Sequence, residues 1–502
     1  MIISFLVLFL IFFAGMINLE SAPPLWWDEG WNLTLARNWV ERGYYGQYLE
    51  GQPQPPGLSA AFPAIAPIAL SFRVLGVGVW QGRLPGVLFA FGSLGLLFYL
   101  STSLYNRSIA WAALFAVLLL LTLPSLNPIL NGRQVLADMP MMFYLLAGYA
   151  CILAAWRRPL IFLPICCLFW GIAIIAKAQT FPFWLVSLGI PVLLALLQRR
   201  WKTAILLLTG IGGSWYLSKV LLELQGYILR GHTLAGSAPS GLVEAVALVP
   251  LLNVRVRALI VLGVSGLPTL FGLIYITWQY IKQPDQFRLT EGGQVVRLAL
   301  YVLAGSWLGW FILLCNSGPR YLAAPGFVGG IFVAVMLHDL TGGFDFRSTI
   351  LRAAAMLKLR KFDRRGIAAI SAIILGIPMA FVTLITCYPL IFSIDNSVVE
   401  VTRFLNAQTQ MNALVETYDS ELFFFLERPY HYPPQDTVVP LLRRYMFEQD
   451  FEIDYDPLQA DPDYLVVGPT SAAWRVYDPV LESDAFRLIK ETSRYFVYER
   501  VR

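Results

Sequence analysis

The chain has 502 residues, 57% of them hydrophobic and only 14% charged, with a formal net charge of +5. A soluble globular protein carries nearer a quarter charged residues, so water is not the main solvent of this one. Basic residues on such a chain are topology signals first, and nucleic acid is set aside as a partner.

Apolar runs long enough to cross about 30 Å of hydrocarbon, roughly 20 residues each, recur from the N-terminus to about residue 392. Candidate spans fall at about 2–19, 84–104, 109–125, 139–156, 159–176, 180–197, 203–222, 258–281, 298–315, 320–338 and 367–392. The first of them lacks the basic n-region and small-residue cleavage site of a removable signal peptide, and reads as a retained span. With eleven spans and the N-terminus inside, the short basic connections all face the cytoplasm, as the positive-inside rule requires. They hold Arg107, then Arg157 and Arg158, then Arg199, Arg200 and Lys202, then Lys282 and Arg288, then the cluster of Lys358, Arg360, Lys361 and Arg364. The expected location is therefore a plasma (inner) membrane, N-terminus cytoplasmic and C-terminus extracytoplasmic. Residues 20–83, 126–138, 223–257 and everything from 395 then reach the outer face.

The expected fold is a polytopic all-α membrane domain of about 11 transmembrane helices over residues 1–394, with interfacial helices in its first outer loop. A small soluble α/β domain over 395–502 follows, where charged and turn residues become frequent. About 100 residues suffice for a separate core. Strand-like runs at Leu422–Phe425, Tyr464–Val467 and Tyr495–Val501 accompany a helical stretch at 399–416. Cys151, Cys166, Cys167, Cys315 and Cys387 lie in or beside apolar runs without disulfide or zinc spacing, and read as small hydrophobes.

Candidate chemistry begins just after the first span, in Trp26-Trp27-Asp28-Glu29-Gly30. Acids at a helix start complement the dipole, so a capping role competes with a catalytic one. Trp27, Trp31 and Trp39 recur at spacings that place one side of a helix against the membrane interface. Further along the same face, Arg133 in Asn131-Gly132-Arg133 precedes Asp138, which heads a span. Asp138 caps that helix, pairs with Arg133, or serves a site. Lys177 is an isolated ammonium between apolar segments, where a charge snorkels or faces a polar partner. Arg320 and Tyr321 open a later span, and arginine forks match phosphate oxygens. Such a set suits transfer from a lipid-anchored phosphate leaving group: a carboxylate deprotonates the acceptor while cations stabilise the departing phosphate.

No Gly-x4-Gly-Lys-Ser/Thr loop is present, and His232, His338 and His431 form no His-Glu-x-x-His pair. Asn32-Leu33-Thr34 is a glycosylation sequon, which by itself decides nothing.

The chain resembles the GT-C-fold membrane glycosyltransferases of the protein O-mannosyltransferase and lipid A aminoarabinose transferase type. The likeness rests on Asp28-Glu29 after the first span, Pro55-Pro56, Arg83-Leu84-Pro85-Gly86, Arg133 with Asp138, Lys177 and Arg320-Tyr321. It implies Asp28 as catalytic base and Glu29 as the second acid. It also implies a polyprenyl-phosphate sugar donor whose phosphate and cavity are met by Lys177, Arg133, Asp138, Arg320 and Tyr321. The acceptor would be a hydroxyl or amine of lipid, glycan or protein, and hexosyl or pentosyl transfer with inversion is expected. A divalent metal cofactor is left open, since some members of the group use one. Gln54 stands before Pro55-Pro56 where many relatives have lysine, which removes a phosphate contact from that loop. The alternative reading is a polytopic transporter or lipid flippase, which predicts charged or broken-helix sites near the bilayer midplane.

Overall fold

The computed structural model describes residues 9, 12–57, 61–234, 241–359 and 364–501. Half of the expected first span at 2–19 lies outside the described residues, as do Arg360 and Lys361 of the basic cluster.

Among the described residues, nine helical segments are long and apolar enough to cross a membrane. They are Val79–Leu104, Asp138–Ala155, Pro159–Ala176, Thr180–Leu197, Trp201–Ile228, Leu252–Lys282, Gly292–Leu313, Pro319–Leu340 and one that starts at Ile373. Each coincides with an expected span. The remaining expectation, 109–125, is met by a shorter apolar helix, Arg107–Leu119, started by the Asn106 side chain accepting from the Ile109 N–H at 2.9 Å. Many spans expose large apolar side chains, such as Leu193, Leu197, Ile205 and Trp215. Contiguous apolar surface of that kind suits hydrocarbon contact.

The spans pack around one large apolar core that includes Leu97, Leu145, Trp170, Trp184, Trp307 and Phe327. Small residues allow the close approaches. A Cβ on Gly272 would lie 2.8 Å from the Val333 nitrogen, so the Leu252–Lys282 and Pro319–Leu340 segments meet nearly backbone to backbone.

The first outer loop folds into a helix, Trp27–Arg42, then a two-stranded hairpin of β1 (Gln47–Leu49) and β2 (Gln52–Gln54), then a second helix, Phe62–Leu75. The helix at Trp27 opens with Asp28 and Glu29 and closes with Arg42 and Gly43, whose φ of 68° is the left-handed geometry of a helix end. Trp27 and Trp31 correct an expectation. They face the C-terminal region rather than the membrane interface: Trp27 packs on Tyr418, and Trp31 packs on Phe423 and Tyr432.

The C-terminal region holds a helix, Ser397–Gln408, and a five-stranded sheet in the order β4-β3-β5-β7-β6. Its strands are β3 (Val415–Glu416), β4 (Tyr430–His431), β5 (Tyr464–Val467), β6 (Phe486–Glu491) and β7 (Phe496–Arg500). β3 runs parallel to β4 and β5, while β7 is antiparallel to β5 and β6. Two of the three strand-like runs therefore form strands. Leu422–Phe425 instead continues a 3-10 turn, Ser420–Leu422, that lies against the Trp27–Arg42 helix. Leu422, Phe423 and Phe424 are buried there, so local alternation was not what set their conformation.

Candidate active site

The helix at Trp27 is held from two sides. On the membrane side, Arg83 and Glu29 are both fully buried, with Nε and Nη2 donating to the two carboxylate oxygens at 2.7 and 2.8 Å. Arg83 also donates to the carbonyls of Leu19 and Pro23, and Glu29 accepts from the Val135 N–H at 3.3 Å. Asn32 donates to the Val135 carbonyl at 2.7 Å, so the sequon asparagine is folded inside. On the other side, Trp27 Nε1 donates to the Tyr418 carbonyl at 2.7 Å and Ser420 Oγ to the Trp27 carbonyl at 2.5 Å. Gly30 is required at this contact, because a Cβ there would lie 2.1 Å from the Glu421 Cα.

This double clamp aims Asp28 at Arg320. The two form an ion pair, with the Asp28 side chain 13% exposed and that of Arg320 38%. The Arg320 guanidinium also lies over the rings of Trp26 and Tyr321, at 5.9 and 5.5 Å. Tyr321 carries a second cation on its ring, the Lys177 ammonium at 5.7 Å. Lys177, just past the end of the Pro159–Ala176 helix, binds the Asp138 carboxylate at 2.5 Å. The result is an alternating row of Asp28, Arg320, Tyr321, Lys177 and Asp138. Elements separated by up to 292 residues in sequence supply it.

Trp26 Nε1, on the ring beneath Arg320, and Gln179 Nε2 and Thr180 Oγ1, which follow Lys177 in sequence, are buried and have no hydrogen-bond partner among the described residues. Buried polar atoms are nearly always satisfied by protein, water or ligand, so each of these three leaves a hydrogen-bonding group for a polar partner.

Five of the seven expected site residues come together here; Glu29 and Arg133 do not. Glu29 is sealed in its pair with Arg83 and reaches no open space. Arg133 does not pair with Asp138. It is fully buried, and its guanidinium donates to the backbone carbonyls of Ala22, Ala14 and Gly15. Its role in this geometry is to fasten the chain that leads into Asp28. An apolar neighbourhood explains both outcomes, since a buried charge must spend its donors or acceptors on fixed partners. Trp26, Ser420 and the Glu421 backbone were not singled out from sequence. Trp26 had a signal in its place two residues before Asp28; the C-terminal turn had none.

The donor set also speaks to a metal. Among the described residues no group of three or more His, Cys, Asp or Glu side chains could hold an ion. Asp28 and Asp138 are each neutralised by a side-chain cation. This arrangement does not fit a divalent ion.

No protein-family profile and no curated protein sequence matches the chain. Solved structures do. ArnT from Cupriavidus metallidurans, solved with undecaprenyl phosphate bound, aligns over 100% of this chain and 98% of its own, with a TM-score of 0.57 and 13% identity. Its apo state gives a TM-score of 0.55 at 14% identity, with the same coverage. The Archaeoglobus fulgidus oligosaccharyltransferase, solved tethered to an acceptor peptide containing the NVT sequon, aligns over 99% of this chain and 74% of its own, at 0.54 and 11%. The chain has the GT-C fold. Because the GT-C match to ArnT runs the length of both chains, the C-terminal sheet is part of the likeness as well as the spans.

Proposed function

We propose that this protein is a membrane glycosyltransferase that moves a sugar from a polyprenyl-phosphate donor to a hydroxyl or amine acceptor at the outer face of the membrane. The observation that carries the reading is the row of alternating charges at one end of the spans, next to the helix that the Tyr418–Glu421 turn of the C-terminal region clamps. The positive-inside pattern assigns that end to the extracytoplasmic side. The structural neighbours add support, one being solved with undecaprenyl phosphate and another with an acceptor peptide.

In this reading Arg320 and Lys177 take the donor phosphate, the guanidinium in bidentate fashion and the ammonium as a point charge. The phosphate competes with Asp28 for Arg320 and with Asp138 for Lys177, so donor binding loosens the hold on the base. The acceptor oxygen or nitrogen then attacks the anomeric carbon and passes its proton to Asp28. The bond from that carbon to the phosphate oxygen breaks, and polyprenyl phosphate leaves with the electron pair, its charge met by the two cations. Attack opposite the leaving group inverts the anomeric centre. Glu29, Arg83 and Arg133 hold the frame and touch no reacting atom. Charges at the ends of spans, rather than near the midplane, favour this reading over a transporter.

The test is sugar release from a panel of radiolabelled polyprenyl-phosphate sugars by the purified protein in lipid, with Asp28→Asn alongside. Consumption of a donor by the wild type and its loss in the folded variant supports the proposal. Failure of every donor to bind would turn attention to transport.

A further inference from the structure

The ends of the spans opposite the charged row carry a cavity that the transferase chemistry does not use. Asp138 begins the Asp138–Ala155 helix, whose 18 residues, at about 1.5 Å each, carry the chain roughly 27 Å to the other membrane face. There it turns through Trp156, Arg157 and Arg158 into the Pro159–Ala176 helix. The Arg157 and Arg158 amides both donate to the Ala154 carbonyl, at 3.1 and 3.2 Å, and the Arg158 carbonyl accepts from the Ile161 and Phe162 amides. Both guanidinium groups therefore start from one fixed turn. That turn lies against the start of the Gly292–Leu313 helix, where a Cβ on Gly292 would sit 3.0 Å from the Trp156 ring.

A single cavity of about 690 Å³ has both polar and apolar walls here. Arg157, Arg158, Thr290, Gly292 and Gly293 supply the polar wall, and Tyr99, Leu153, Trp156 and Phe162 the apolar one. The volume falls in the roughly 300–1,000 Å³ range of ligand sites. Neither arginine forms an ion pair among the described residues. The one carboxylate in the lining, Glu291, is spent as a helix cap on the Gln294 backbone N–H. The Gly292 and Gly293 amides, first in their helix, have no acceptor within it and favour an anion. Gly293 also leaves room, since a Cβ there would meet nothing nearer than Leu104 at 4.0 Å. Tyr99 is 48% exposed, so the apolar wall reaches the hydrocarbon-facing surface of the spans.

We propose that this cavity binds an anionic phospholipid of the cytoplasmic leaflet, the leaflet to which the positive-inside pattern assigns the two arginines. The phosphate lies between the guanidinium forks and the start of the helix, and an acyl chain runs out along Leu153, Phe162 and Tyr99. Basic pockets between spans on the cytoplasmic side suit anionic headgroups. A zwitterionic lipid would bring an ammonium to the arginine pair with no free carboxylate in the lining to receive it. The site is at the far end of the spans from Asp28, so it stands whether or not the outer row transfers sugar.

The test is native mass spectrometry of the delipidated full-length protein titrated with phosphatidylglycerol or phosphatidylethanolamine. The wild type is expected to retain phosphatidylglycerol about tenfold better. Arg157→Gln with Arg158→Gln should lose that preference. Gly293→Leu should lose phosphatidylglycerol retention with the net charge unchanged. Arg199 and Arg200, a basic pair in another cytoplasmic connection that lines no part of this cavity, supply the control. Their paired change to Gln should leave retention as in wild type. Equal retention of the two lipids by wild type overturns the proposal, as does undiminished preference in the Arg157 and Arg158 variant. A loss just as large in the control pair also overturns it, because general surface attraction would then explain the binding. Should a variant fail to fold, competition on the wild type decides the question. Short-chain phosphatidylglycerol should displace the bound lipid at concentrations where inorganic phosphate does not, and equal displacement would mark a free-anion site and overturn the lipid assignment.

Discussion

Glu29→Gln separates a structural acid from a catalytic one. The substitution keeps the side chain's size and removes its charge, leaving the Arg83 guanidinium buried among neutral acceptors alone, the glutamine oxygen and the carbonyls of Leu19 and Pro23. Breaking a buried pair by neutralising one partner costs about 3–5 kcal/mol. Counting bonds agrees, because two charge-assisted hydrogen bonds are weakened and each contributes about 1.5–3 kcal/mol. The glutamine oxygen can still accept from Arg83, so the lower end, about 3 kcal/mol, is expected. The assay is reversible unfolding in mixed micelles, with turnover measured per mole of folded protein. The double variant Glu29→Met with Arg83→Met should recover part of the loss, because it leaves no unpaired charge. If Glu29→Gln were as stable as wild type while turnover collapsed, Glu29 would be a catalytic acid and the reasoning from its burial would be wrong.

Further outcomes follow from the same geometry. Asp28→Asn should lower turnover by about 10²–10⁴-fold, the usual contribution of a general base, while melting within a few degrees of wild type; retained turnover would remove Asp28 from the chemistry. Arg320→Lys keeps the charge but loses the bidentate fork, so KM for the polyprenyl-phosphate donor should rise about tenfold, and an unchanged KM would place the phosphate elsewhere. Gly30→Ala should force the Trp27–Arg42 helix away from Glu421, lowering both melting temperature and turnover; a silent substitution would show that the contact is loose. Glu421 provides a pH test: burial first, and then the charge of Asp419, push its carboxyl up to about 8 from an ordinary 4.5. The folded state therefore keeps a proton that the unfolded chain has released. The stability this contributes is complete below pH 4.5 and is lost as pH rises through about 8. Glu421→Gln should flatten melting temperature against pH across that window, and an unaltered slope would refute the assignment.

Hydropathy alone determined that this chain lives in a bilayer and where most spans fall, because a run of roughly 20 apolar residues has few other stable fates. The sequence also marked Asp28, Asp138, Lys177, Arg320 and Tyr321, because charges beside apolar runs are costly enough to stand out. What it left open was partnership. Lys177 meets Asp138 across 39 residues and Arg320 meets Asp28 across 292, separations that no local pattern encodes. Glu29 and Arg133 carry the same marks as the site residues, yet tertiary packing turned them inward, one onto Arg83 and the other onto backbone carbonyls. The tryptophans at 27 and 31 had the spacing of an interfacial stripe, and the arrival of the C-terminal turn gave them a protein partner instead. One-dimensional pattern reports the cost of burying a group, but only the folded arrangement decides which neighbour offsets it.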